Sequence, residues 1–270
     1  LKSIVGFSHS DDGAKMMVAP ASGTFRIVSP ESGETMATLS PKGQAGCGSF
    51  SKDGQRVFMA SLPSQLETGD APTGKFTKQI LLPGKAHGIS LMRSPAADDL
   101  LVSSYVQNSS GLVTWTYFVV NGASPAASGP FTLPCSKSNA VEMDFSPDGH
   151  RLVMFFSSGG AYHLTSFEWP SLKQVWKANP APEFGPGSIA VSPDGNQIAV
   201  ATFAGTVAFY DSATGQQTGT FSISTESLRI AFHPNKPLLA LGEYGTAKVI
   251  VWHLKENRVV REIETGGRTC

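Results

Sequence analysis

Gly69 to Phe76 read GDAPTGKF, the spacing of a glycine-rich loop whose backbone amides cradle phosphates while a lysine reaches toward them. That chemistry also needs a serine or threonine hydroxyl after the lysine to hold Mg²⁺, a buried strand before the loop and a helix after it. Phe76 has no hydroxyl, the polar run Ser61 to Asp70 precedes the loop, and a strand-like TKQILL follows it. The segment is expected to be an exposed connection between strands that neither binds nor hydrolyses ATP.

The other reactive side chains are arranged no better for catalysis. Nucleophilic catalysis needs a base within hydrogen-bond reach of a serine or cysteine, and the sequence has neither a G-x-S-x-G elbow nor an H-E-x-x-H pair. His9, His87, His150, His163, His233 and His253 share no common spacing that would build a metal site. His150 and His233 sit in or beside turns, and His163 and His253 fall in strand-like runs, where a hydrogen-bonded structural histidine is the expectation. Cys47, Cys135 and Cys270 are odd in number and irregularly spaced, which excludes a disulfide framework or a two-knuckle zinc site and favours a reducing compartment. Trp115, Trp169, Trp176 and Trp252 lie in strand-like runs without a basic groove, so packing rather than base stacking is expected of them. Asn108-Ser109-Ser110 is a glycosylation sequon, which has meaning only in a secreted protein. The reading is of no catalytic residues, no metal, no cofactor and no identifiable small-molecule substrate.

Charge excludes further classes. Twenty-one Lys plus Arg balance 21 Asp plus Glu, so no global field collects nucleic acid or anionic lipid. No apolar run reaches the length of a membrane span, the start LKSIVGFSHSDDG has no signal-peptide core, and a cytoplasmic location is the expectation. The chain lacks an initiator Met, which suggests a processed product or a piece of something longer.

The elements that would position any site are short strands in a repeat. An apolar strand ending in a Phe-Ser-like pair is followed by an Asp/Gly turn at Phe7-Ser8, Phe50-Ser51, Arg93-Ser94, Phe145-Ser146, Val191-Ser192 and Phe232-His233. The second members stand 43, 43, 52, 46 and 41 residues apart. Six units are visible, at about 1–42, 43–85, 86–137, 138–183, 184–224 and 225–267. Each unit has a second strand such as Gln197 to Thr202, an aromatic and β-branched third strand such as VAFYDS, and an outer fourth strand such as QTGTF. In the second unit, Ser61 to Gly74 is too polar to place a third strand. Such a sheet cannot bury both faces alone, but it can against copies of itself around an axis.

The chain resembles the WD40-repeat family in its period, its Ser-Pro-Asp-Gly turns at Ser146 to Gly149 and Ser192 to Gly195, and its third strands closing in Tyr210-Asp211 and Trp252-His253. The resemblance implies an all-β fold: a β-propeller of four-stranded antiparallel blades, six-bladed or part of a seven-bladed ring, in a single domain over 1–270. The family's Gly-His dipeptide is missing except for the reminiscent Ala86 to Gly88, so its buried polar tetrad cannot assemble in most blades. Apolar packing between blades is expected instead.

In that architecture the fourth-to-first and second-to-third connections emerge on one face, the one such propellers offer to partners. It should carry Gln44, Lys85, His87, Lys137, Asn139, Glu183, Phe184, Glu226 and Arg229 from the first set of loops, with Tyr105, Phe203 and Tyr244 from the second. Exposed Tyr, Phe and Arg are the types that dominate binding energy. The resulting expectation is a non-catalytic scaffold for another protein or another domain of its parent chain. The alternative is an enzyme-associated propeller, gating a hydrolase or holding a cofactor. A cofactor would need polar side chains converging from the first strands, which are mostly small and apolar with Asp144 and Arg229 as exceptions.

Overall fold

Four Ser-x-Asp-Gly turns set the strand register. In each, the serine hydroxyl (Ser10, Ser51, Ser146, Ser192) donates to the carboxylate two residues on (Asp12, Asp53, Asp148, Asp194). The same serine oxygen accepts the N–H of Lys15, Arg56, Arg151 or Gln197 at 2.9–3.0 Å, closing the hairpin. The turn glycines have φ between 65° and 74°, which a side chain rarely tolerates. The serine hydroxyl first, and then a backbone N–H, hold all four aspartates below the usual carboxylate range. His233 does the same work with its ring, Nδ1 accepting the Asn235 and Lys236 N–H groups at 3.0 and 3.1 Å.

These contacts correct the first repeat anchor. The residue equivalent to Ser51 is Ser10, not Ser8, which lies inside the first strand opposite Met17. The first spacing becomes 41 residues.

The computed structural model describes residues 4–20, 24–111, 113–123, 126–137, 141–180, 186–223, 227–243 and 247–264. The first blade comprises β1 (Ile4–His9), β2 (Met16–Pro20), β3 (Phe25–Val28) and β4 (Thr35–Leu39). The second has β5 (Gln44–Phe50), β6 (Arg56–Leu62), β7 (Gln65–Asp70) and β8 (Phe76–Leu81). The third has β9 (Gly88–Arg93), β10 (Asp99–Gln107), β11 (Val113–Asn121) and β12 (Ala127–Phe131). The fourth has β13 (Val141–Phe145), β14 (Arg151–Ser158), β15 (Ala161–Glu168) and β16 (Gln174–Ala178). The fifth has β17 (Pro186–Val191), β18 (Gln197–Thr202), β19 (Thr206–Asp211) and β20 (Gln217–Ser222). The sixth has β21 (Ser227–Phe232), β22 (Leu238–Glu243), β23 (Lys248–His253) and β24 (Arg258–Glu264). Every sheet is an antiparallel meander in chain order, so the fold class is a six-bladed β-propeller. Among the described residues there is no helix, and hence none long and apolar enough to cross a membrane.

The chain divides into two compact units, Leu1–Lys137 and Ser138–Cys270, of three blades each. Within each unit, first strands of successive blades lie side by side, and apolar clusters fill the spaces between blades. Met17, Phe25 and Leu39 meet Phe50, Val57 and Met59, and Phe58 and Leu66 meet Leu100, Val102 and Phe118. In the second unit Val153 and Phe155 meet Ile189, Ile198 and Val200, while Phe221 stacks on Trp252 at 4.1 Å. Apolar packing between blades is joined by polar links, among them the Val191 N–H donating to Asp144 and the Arg56 guanidinium donating to Gly122 O.

The polar third strand of the second blade exists: β7 buries Leu66, Glu67 and Thr68. Its Glu67 carboxylate accepts the Lys42 N–H at 3.1 Å, so a charge occupies an inward position and hides the strand pattern. The phosphate-loop look-alike is the turn between β7 and β8. There the Asp70 carboxylate accepts both the N–H and the hydroxyl of Thr73, and Gly74 N–H donates to Asp70 O at 2.9 Å.

Candidate functional site

The residue four positions before the turn anchor differs along the second unit: Glu142 on β13, Ser188 on β17 and Arg229 on β21. Because the three strands lie side by side, these residues line one pocket of about 430 Å³ together with Asp144. Arg229 Nη1 donates to Glu142 Oε2 at 3.0 Å, so this ion pair links the fourth blade to the sixth past Ser188. Ser188 Oγ accepts the Ile230 N–H at 3.4 Å. Burial pushes the Glu142 carboxyl up, and the Arg229 guanidinium partly offsets this.

Asp144 stands two residues along the same strand, on the same face. Its Oδ2 accepts the Val191 N–H of the next blade and its Oδ1 the Phe145 N–H, both at 2.8 Å. Burial outweighs both bonds and pushes the carboxyl up to about 6. The pocket thus offers one paired cation, one paired carboxylate, one hydroxyl and one carboxyl that changes charge near neutrality. Asp144 and Arg229 are the polar exceptions already visible in the sequence; Glu142 is not among them, although its even spacing from Asp144 is the available signal.

In the first unit the structure gathers several of the expected contact residues at one edge of the third blade. His87 N–H donates to Tyr105 O at 2.8 Å, and His87 Nδ1 accepts the Gln107 N–H at 2.9 Å, which fastens the loop before β9 to the end of β10. The Tyr105 ring lies over Gly88, where a Cβ would come within 2.1 Å of it, and it packs on Trp115 at 5.0 Å. Trp115 N–H donates to Ser136 O at 2.7 Å, beside exposed Lys137. Lys85 and Gln44 are exposed, the latter at the start of β5. In the second unit Phe203 is exposed in the turn between β18 and β19, and Arg229 joins the pocket above. Asn139, Glu183, Phe184, Glu226 and Tyr244 lie outside the described residues.

The histidines are hydrogen-bonded as strand and turn residues: His163 Nδ1 lies 2.8 Å from Asn179 Oδ1, and His253 Nδ1 accepts the Glu256 N–H at 3.1 Å. Among the described residues no three His, Cys, Asp or Glu side chains group as metal ligands.

No protein-family model and no curated protein matches the sequence. Solved structures do match. The β-propeller domain of Myceliophteria thermophila Cps50 (Swd1) is 12% identical, with 99% of this chain and 88% of that one covered at a TM-score of 0.74. Kuenenia stuttgartiensis hydrazine synthase is 15% identical, with 98% and 88% covered at a TM-score of 0.76. At such identities the likeness is one of fold: the chain is similar to β-propellers, one of them within an enzyme.

Proposed function

We propose that the chain is a non-catalytic, WD40-like β-propeller domain spanning 1–270, a rigid cytoplasmic platform for another protein or another domain of its parent chain. The supporting observation is the third-blade edge. His87, Tyr105, Trp115 and Ser136 fasten separate connections together and leave Lys85, His87 and Lys137 exposed beside them. Preorganised polar and aromatic side chains of this kind bind at low entropic cost. The contact set is Gln44, Lys85, His87, Tyr105, Lys137, Asn139, Glu183, Phe184, Phe203, Glu226, Arg229 and Tyr244. A photo-crosslinking side chain placed at Tyr105 or Phe203 should capture one common partner, and the same group at Asp148 or Asp194 should not. Capture from both sets alike would overturn the reading.

The pocket of Glu142, Asp144, Ser188 and Arg229 favours a second reading, an enzyme-associated propeller that gates or holds a cofactor for a hydrolase or oxidoreductase. Glu142→Gln with Arg229→Met separates the two. A platform loses partner affinity, whereas an enzyme-linked propeller keeps its partner and loses the activity of the assembly.

A further inference from the structure

Lys15, Arg56 and Arg151 occupy one position, five residues after the turn serine whose oxygen accepts their N–H. Two of the three reach to the next blade. Lys15 Nζ donates to Gly54 O at 2.8 Å. Arg56 Nη1 donates to Gly122 O at 2.8 Å and Nη2 to the carboxylate of Asp98. For Arg151 the next blade has changed: Asn196 stands at the position of Asp98, and Ser212 at that of Gly122. Ser212 O is already taken by the Trp176 indole N–H at 2.9 Å. Arg151 Nη1 is buried without a hydrogen-bond partner.

A cavity of about 550 Å³ opens at this place, lined by Arg151, Ser166, Asp148, Asp194, Asn196 and Ser212 among others. Ser166 is fully buried, and its hydroxyl also lacks a partner. A buried guanidinium N–H and a buried hydroxyl, both unpaired, are costly in a fold that satisfies the equivalent arginine internally.

We propose that this cavity between the fourth and fifth blades binds a carboxylate, held by the Arg151 guanidinium and the Ser166 hydroxyl much as Arg56 holds Asp98. Asp148 and Asp194 are exposed at the rim, each with one oxygen engaged in its own turn. Their charge opposes a phosphate dianion more than a carboxylate monoanion, which selects the latter. The site lies at the Ser-x-Asp-Gly end of the blades, whereas the proposed partner loops leave the other strand ends, so it stands or falls independently of the platform reading. The carboxylate belongs either to a small organic acid or to an Asp or Glu side chain of a polypeptide.

The test follows the arginine Nε–Hε resonances of the labelled full chain. Sodium acetate and acetyl-Gly-Asp-Gly-amide should shift the Arg151 resonance saturably, while acetyl-Gly-Asn-Gly-amide and sodium chloride of equal ionic strength should not. Ser166→Ala should weaken acetate about tenfold, the worth of one charge-assisted hydrogen bond. Asn196→Asp, which supplies the carboxylate that Asp98 supplies to Arg56, should abolish the acetate shift even if Arg151→Gln fails to fold. Tighter binding of the aspartyl peptide than of acetate identifies a polypeptide source; equal or weaker binding identifies a small acid. An unmoved Arg151 resonance, an acetate shift that persists in Asn196→Asp, or tighter binding of inorganic phosphate would overturn the proposal.

Discussion

Replacing Asp144 by Asn should make the protein's stability less sensitive to pH between 5 and 8. Asp144 is partly buried, and its carboxyl is raised from 3.8 to about 6 by burial, against hydrogen bonds from Val191 and Phe145. A carboxyl with a folded pKa above its unfolded value favours the fold at low pH, and that contribution is lost as pH rises through the folded pKa. Integrating between pH 5 and 8, where the unfolded group is ionised throughout, gives a loss of about 1.4 kcal/mol at this one residue. Its partial exposure reduces the figure to about 1 kcal/mol. The amide in Asp144→Asn cannot ionise yet keeps an acceptor for one of the two N–H groups. Urea titrations followed by tryptophan fluorescence should therefore show the variant gaining about 1 kcal/mol on the wild type from pH 5 to pH 8. Titrations common to both proteins cancel in the difference. A gap that is constant with pH, or one that moves in favour of the wild type, would refute burial as the dominant influence on Asp144.

Gly215→Ala should cost about 2 kcal/mol or more, because φ is 73° there and a Cβ would stand 2.5 Å from the Trp176 ring; thermal melts followed by circular dichroism check it. Partner affinity should fall by about 2 kcal/mol in Tyr105→Ala, Phe203→Ala or Tyr244→Ala and much less in Asp148→Ala or Asp194→Ala, read by isothermal titration once the partner is in hand. Mg²⁺-ATP should give no saturable heat, and Lys75→Ala no change, since Gly69 to Phe76 run from the end of β7 through a hairpin turn to the start of β8. Calorimetry should show one transition for a single domain over 1–270, with two resolved peaks counting against it.

The blades are legible because their periodicity rests on local physics: β-branched and aromatic runs, and turns whose Ser, Asp and Gly satisfy the backbone without outside help. The second strand of the fifth blade, Gln197–Thr202, can be read to the residue. Failures occur where tertiary contacts replace the local signal. Glu67 reads as a solvent-facing residue until Lys42, distant in sequence, is seen to donate to it. Phe7-Ser8 mimics an anchor because β1 runs on through it to the true turn at Ser10. The outer strand β12 carries Gly129 and Pro130 in place of β-formers, so composition could not announce it.

The candidate sites are less legible for a related reason. A repeat reports what every blade needs, and a site consists of what one blade does differently. Glu142, Ser188 and Arg229 occupy equivalent positions in three consecutive blades, and only their convergence makes a carboxylate, a hydroxyl and a cation of one pocket out of three ordinary strand residues. Arg151 is the sharper case. Its position is shared with Lys15 and Arg56, and nothing distinguishes it until the neighbouring blade presents Asn196 where Asp98 would have paired it. The informative comparison in such a chain is between blades in register, asking which repeated donor has lost its repeated acceptor. Applied along both units, that comparison isolates Arg151 Nη1 as a buried guanidinium donor whose counterpart in the second blade is satisfied, and it locates a carboxylate's place before any ligand is known.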